Sequence, residues 1–368
     1  MNIVLTGATG TLGSKILFEL LNLKFHRVET IYLIVRKKGL TTPQDRIMNM
    51  LTSGIESGAL LRNLEETLQK IKVVDADIVL RPNEFLNVNK KYHLIHSAGY
   101  VNLSVHPSTK AEIFTENYEF TKQIFEAFKK YTHKFTYIST AFSIGDLGGL
   151  LENDYLKITK GLHFRNPYEA SKNATEKYLV KAGTSKNIPI QILRPSVLGG
   201  NIIDHPNFFI SKYMVFYLFA KFFYKSTSED TIRIMANLDS GLNIIPTDYA
   251  AKVIVKVLDT GITQLNIVHS KATNIIRGIS KILDTVEFKK FNITQDVVSG
   301  VIGFESTLEK LYYETIGVHL TPYLTSKPSE WDTTLLESIL PIPKYDLEEY
   351  LVQTVEFAKN KNFRNQNW

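Results

Sequence analysis

Apolar positions in the first 200 residues fall into two alternating patterns. Short continuous runs occur at Ile3–Leu5, Ile31–Val35, Ile71–Val74, Leu94–Ile95, Phe135–Ile138 and Ile190–Leu193. Between them, helical spacing shows at Ile16, Leu17, Leu20 and Leu21, from Pro43 to Leu51, and at Phe120, Ile124, Phe125 and Phe128. Strands separated by helices predict parallel β-α-β crossovers, hence an α/β fold with a doubly wound parallel Rossmann sheet. After Gly199-Gly200 aromatic residues crowd in, which predicts a smaller C-terminal lobe for substrate. The expected division is a sheet domain over residues 1–200 with a returning segment near 243–270, and a second lobe over 201–242 and 271–368. The polar stretch Lys359 to Trp368 is expected to fray.

Composition narrows the possible functions. The 368 residues carry a net charge of +6 in scattered basic residues, without the long stripe of a nucleic-acid binder. Cysteine is absent, which removes disulfides, cysteine zinc sites and thiolate nucleophiles from this chain. The strand-like Asn2-Ile3-Val4-Leu5 at the start predicts a cytoplasmic protein without a secretory signal.

Directly after the first run comes Thr6-Gly7-Ala8-Thr9-Gly10-Thr11-Leu12-Gly13, followed by a helix. The G-x-x-G-x-x-G spacing is a relative of the dinucleotide fingerprint. Gly7 permits the tight turn, Gly10 the close approach of a pyrophosphate, and Gly13 the packing of helix on strand. The N–H groups at the helix start, around Thr9, Thr11 and Leu12, then hold the anion. The second run ends at Arg36-Lys37-Lys38, with no acid at the place where a carboxylate would hold the ribose hydroxyl of NAD. An arginine there accommodates a 2′-phosphate, so the expected cofactor is NADP(H); the alternative is a solvated basic turn. Asp77 and Ile78, after the third run, stand where an adenine contact or a plain turn would be.

Tyr-x-x-x-Lys sets a phenol and an ammonium one helical turn apart. The ammonium and an oxidised nicotinamide would both favour phenolate, so the phenol could exchange a proton with a carbonyl oxygen. The pattern occurs at Tyr118/Lys122, Tyr168/Lys172, Tyr217/Lys221 and Tyr323/Lys327. Only Tyr168/Lys172 follows a run ending in hydroxyls, Ser139-Thr140, and precedes another strand. Asn166-Pro167 would start its helix with a cap and then proline. The other three pairs are expected to be structural or on the surface.

These residues resemble the extended short-chain dehydrogenase/reductase superfamily, and within it the fatty acyl-CoA reductase and thioester reductase branch, the male sterility type. The glycine loop, Val35-Arg36-Lys37-Lys38-Gly39 with Arg46 downstream, His96-Ser97-Ala98-Gly99, Ile138-Ser139-Thr140-Ala141, Tyr168 to Lys172, Arg194-Pro195-Ser196 and Ile245 to Tyr249 carry the resemblance over roughly residues 1–260. It implies Thr140 on the reacting carbonyl, Tyr168 as acid and Lys172 on the nicotinamide ribose. It further implies Arg36, with Arg46, at the 2′-phosphate; Ser97, Ala98 and Gly99 along the ribose and nicotinamide; Asn117 as a supporting helix asparagine; and Pro195 and Ser196 against the nicotinamide ring. After Ser196 the sequence runs Val197-Leu198-Gly199-Gly200-Asn201 without the Pro-Gly-Trp-like segment common in animal and plant acyl-CoA reductases, and it is expected to lack their separate C-terminal domain.

The function expected from this resemblance is NADPH-dependent reduction of an acyl thioester, on CoA or on a carrier, to aldehyde or alcohol by direct hydride transfer. The alternative is another extended enzyme, such as a nucleotide-sugar epimerase or dehydratase or a ketone or sterol dehydrogenase. The aromatic stretch Phe208 to Tyr224 is too short and charged to span a membrane. It reads as an acyl-chain wall, as an interfacial helix giving peripheral membrane contact, or as a helix buried in the second lobe. His93 and His96, three apart on a strand, are expected to be core or surface residues rather than metal ligands.

Overall fold

The computed structural model describes residues 1–53 and 64–368. Seven parallel strands form the central sheet: β1 (Asn2–Thr6), β2 (Thr30–Val35), β3 (Ile71–Asp75), β4 (Tyr92–His96), β5 (Thr132–Ile138), β6 (Ile190–Pro195) and β7 (Gln264–Ile267). Their order across the sheet is β3-β2-β1-β4-β5-β6-β7. The chain starts in the middle, winds to one edge, then returns and winds to the other. The reversal lies between β1 and β4, and a crevice at the carboxyl ends of strands flanking such a reversal is where open α/β sheets bind ligands.

The continuous apolar runs follow from this burial. Helices cover both faces of the sheet, so Ile3, Val4, Leu5, Leu94, Ile95, Ile192 and Leu193 are all inaccessible to solvent. One face packs on the helices Thr11–Leu23 and Thr247–Val257, and the other on the helices Phe120–Phe128 and Pro167–Lys186. Asn166 and Pro167 start the last of these as the sequence predicts, the Asn166 side chain accepting from Glu169 N–H at 3.0 Å.

A second apolar core gathers the helices Phe216–Lys225, Ile275–Thr285 and Leu347–Asn360. Of the readings open for Phe208 to Tyr224, the structure sets aside the interfacial helix: Phe216, Tyr217, Phe219, Ala220 and Phe223 all face this core, so these rings are not offered to a membrane surface. No helix among the described residues is long and apolar enough to cross a membrane.

The expectation of fraying after Lys359 is wrong. The helix runs to Asn360, Phe363 is 1% exposed, and Trp368 is 6% exposed within the core of the sheet domain. A polar window looks frayed until the remote surface that covers its two aromatic rings is known.

Candidate active site

The glycine loop leaves β1 and turns into the helix Thr11–Leu23. Gly7 has φ +73°, and a Cβ there would lie 2.6 Å from the backbone nitrogen of Ala98; one on Gly13 would lie 2.0 Å from the Gly7 carbonyl oxygen. Side chains are excluded at both positions, so the backbone forms a bare cradle at the start of the helix. Gly10 N–H closes the turn onto the Gly7 carbonyl at 2.8 Å. Leu12 points into the core. Across the sheet reversal, Ala98 N–H donates to Thr6 Oγ1 at 3.1 Å, so the Ser97-Ala98-Gly99 loop is tied to the cradle.

Lys172 lies beneath that loop. Its Nζ donates to the Ile138 carbonyl at 3.1 Å, stands 4.6 Å from the Tyr137 ring centroid, and would meet a Cβ on Gly99 at 3.3 Å. Burial draws its pKa down to about 8. Tyr168 sits one turn earlier on the same helix and is half-buried. Desolvation, with a contribution from the Glu169 carboxylate, holds its phenol above its ordinary value. The expected lowering of this phenol by Lys172 is therefore not a property of the protein alone, in which burial dominates.

Thr140 follows β5 by two residues, is 7% exposed, and accepts from Phe142 N–H at 3.3 Å. Its turn is fastened to the Tyr168 helix from below. Asn173 Nδ2 donates to the Ser143 carbonyl at 2.9 Å, while Glu176 Oε1 accepts from Ser139 Oγ at 2.5 Å and Ser143 Oγ at 2.8 Å. Arg194, on β6, pairs with Glu176 at 2.7 Å with both side chains wholly buried. Asn117 sits in a π-helical turn, Thr115–Glu119; its side chain accepts from Tyr100 N–H (2.9 Å) and donates to Tyr100 O (3.0 Å) and Ser171 Oγ (3.3 Å). Pro195 ends β6, and beside it Ser196 has a buried hydroxyl without a partner among the described residues. That orphan lies just past the carboxyl end of β6.

The adenosine side is basic. Arg36 is exposed and makes no ion pair among the described residues, whereas Arg46 is nearly buried and donates to the Arg36 carbonyl (2.6 Å) and Thr9 Oγ1 (2.9 Å). Asp77 and Ile78 lie in the short turn after β3, Asp77 N–H donating to Asp75 Oδ1 at 3.1 Å.

Arg165 escaped the sequence reading, and Tyr323 entered it only as a member of a structural or surface Tyr/Lys pair. Tyr323, from the second lobe, accepts from Asn166 Nδ2 at 2.8 Å, at the cap of the Tyr168 helix. Arg165 pairs with Glu169 at 2.8 Å and lies over the rings of Phe142 and Tyr323. Tyr323 also lines an apolar cavity of about 40 Å³, whose walls include Phe216, Phe219, Ile279, Leu320 and Leu324. The remaining Tyr/Lys pairs are structural: Tyr217 is buried against Thr354, and Lys122 folds over the Tyr118 ring. His93 and His96 are core residues, hydrogen-bonded to Thr136 (2.7 Å) and Thr6 (2.8 Å), with pKa values pressed to about 3 by burial.

The family model of the male sterility proteins, an NAD-binding domain, matches residues 5–254, more than half of the chain. The chain belongs to this family. It thereby joins the extended short-chain dehydrogenase/reductases, whose cofactor is a nicotinamide dinucleotide. Among curated proteins, fatty acyl-CoA reductase 1 of Mus musculus is 50% identical over 52 residues, 14% of this chain and 10% of that protein. The Rattus norvegicus enzyme of the same name is 35% identical over 104 residues, 27% of this chain and 19% of its own length. The chain thus aligns with about a fifth or less of the curated relatives it matches.

Solved structures share the fold at low identity. The reductase domain of the aureusimine biosynthetic cluster superposes with a TM-score of 0.66 at 17% identity, covering 98% of this chain and 90% of that one. The terminal R domain of the myxalamid pathway gives 0.65 at 18%, covering 100% and 92%. UDP-glucuronic acid 4-epimerase from Bacillus cereus, in complex with NAD, gives 0.61 at 18%, covering 98% of each.

Proposed function

We propose that this protein is an NADPH-dependent reductase of acyl thioesters, carried on CoA or on a carrier protein. The observation that carries this reading is that Tyr323 joins three features: it packs on Phe142 of the Thr140 turn, accepts from Asn166 at the cap of the Tyr168/Lys172 helix, and lines an apolar cavity. The family's matched relatives are named fatty acyl-CoA reductases, and two fold neighbours are a reductase domain and a terminal R domain of biosynthetic pathways, which supports the same class. An all-apolar cavity suits an aliphatic chain better than a sugar nucleotide, whose diphosphate calls for charged partners.

The cradle of Gly7, Gly10 and Gly13 would hold the pyrophosphate, and Lys172 the nicotinamide ribose. Bound there, the cofactor supplies a hydride. Thr140 Oγ and the Tyr168 phenol would stabilise negative charge on the thioester oxygen, and Tyr168 would give up its proton as the charge develops. The resulting hemithioacetal loses a thiol to leave an aldehyde. A second hydride and proton would give the alcohol. Without cysteine in this chain, no thiolate of its own is at hand for a covalent acyl intermediate. The preference for NADPH rests on the exposed, unpaired Arg36 at the end of β2, where no acid stands.

The test is consumption of NADPH with acyl-CoA substrates of graded length. Tyr168→Phe should lower kcat by about 10²–10⁴ while leaving NADPH affinity near that of the parent. Turnover unchanged in this variant would remove Tyr168 from the chemistry.

A further inference from the structure

Segments of the second lobe reach the phosphate loop. Ser211 Oγ donates to Thr11 Oγ1 at 3.3 Å, Gln366 N–H to the Ser211 carbonyl at 2.8 Å, and Tyr213 N–H to Asn365 Oδ1 at 2.8 Å. Farther along, Lys38 Nζ donates to Asn367 Oδ1 at 2.6 Å, Arg46 Nε to the Trp368 carbonyl at 3.1 Å, and Trp368 Nε1 to the Thr9 carbonyl at 3.2 Å. The segments 211–213 and 365–368 are therefore stitched to each other, to the glycine loop and to the basic corner after β2.

Lys212 lies in the middle of this seam. It is exposed, and neither it nor the Arg36 guanidinium has an ion-pair partner among the described residues. Partial desolvation, and then the charges of Lys38, Arg46 and Arg36, hold its pKa below the usual lysine value. The charges of Lys38, Arg46 and Arg36 repel that of Lys212, and an anion placed among them relieves that repulsion. Arg46 plays a different part from the other three: its donors are engaged with Trp368, the Arg36 carbonyl and Thr9, so it frames the corner.

We propose that the phosphorylated adenosine end of the cofactor is recognised across both lobes, with Lys212 of the second lobe joining Arg36 of the first on the 2′-phosphomonoester. Arg46 and the 365–368 segment are positioning elements that keep the seam closed. The proposal rests on the reading of the protein as NADPH-dependent and adds a specificity residue that lies outside the dinucleotide fold.

The test titrates adenosine 2′,5′-bisphosphate and 5′-AMP into the full chain by calorimetry, for the parent protein, Lys212→Ala and Lys212→Arg. Lys212→Ala should bind the bisphosphate about tenfold more weakly and 5′-AMP unchanged, and Lys212→Arg should recover most of the loss. Trp368→Ala should also weaken the bisphosphate. Should that variant unfold, the exposed Lys212 position still decides the matter. Equal bisphosphate affinity in parent and Lys212→Ala overturns the proposal while leaving the NADPH reading intact. A parent protein that binds both nucleotides equally overturns the NADPH reading itself, and this proposal with it.

Discussion

Lys172 is a cation held where a cation is costly. It has one carbonyl acceptor, at Ile138, and the face of Tyr137, and burial brings its pKa to about 8 from 10.5. In the unfolded chain the ammonium binds its proton more tightly than in the fold. Between about pH 8 and pH 10.5 unfolding therefore takes up protons, and stability rises with pH across that window. Below about pH 8 the full cost of the buried charge is present. Lys172→Met should thus raise Tm at pH 7 while abolishing turnover, and its thermal advantage should shrink as the pH approaches 10. Thermal unfolding of both proteins at the two pH values checks this. A variant less stable than the parent at pH 7 would mean that the contacts of the ammonium outweigh its desolvation. The cost is retained, on this account, because the charge acts on the cofactor ribose and the phenol.

At the scale of the element, the π-helical turn Thr115–Glu119 is the feature that a sequence pattern conceals. Helical spacing at Phe120, Ile124, Phe125 and Phe128 continues on one side of it, so the periodicity reads as one helix. The extra residue in the turn aims Asn117 at the loop above Lys172. Asn117→Ala would leave the N–H and C=O of Tyr100 unpaired in a part-buried place, at about 1–3 kcal/mol. A lowered Tm is expected, together with a weaker grip on NADPH as the Ser97–Gly99 loop loosens. Loss of stability with unaltered cofactor affinity would confine Asn117 to a structural part. The glycine loop and the Asn166-Pro167 start were legible because a turn and a cap are written within a few adjacent residues. The parts of Tyr323 and Trp368 were not, since each draws its meaning from a partner far along the chain. The Trp368 indole finds its acceptor 359 residues away.

For the whole molecule, the second apolar core holds the cavity that Tyr323 lines, and on the proposed function that core would set which acyl chains fit. The apolar cavity is walled by residues of four helices, Phe216–Lys225, Ile275–Thr285, Gly317–Leu324 and Leu347–Asn360, together with Leu242, Ile244 and Thr273, and Gly278 lies inside the helix Ile275–Thr285. A Cβ at Gly278 would lie 3.5 Å from Thr273 Cγ2 and 3.6 Å from Leu351 Cδ2, ordinary contact distances. Glycine inside a helix costs about 1 kcal/mol relative to alanine, so packing does not explain its presence. Space does: its absent side chain leaves room in the cavity. Gly278→Ala should therefore stabilise the fold by up to about 1 kcal/mol and shift the acyl-chain preference toward shorter substrates, with kcat/KM for the shortest unchanged. Measuring kcat/KM along a series of acyl-CoA lengths, beside Tm, separates the two effects. A more stable variant with an unaltered length profile would show that the acyl chain lies elsewhere, and the cavity would then be no more than a gap in the packing of the second lobe.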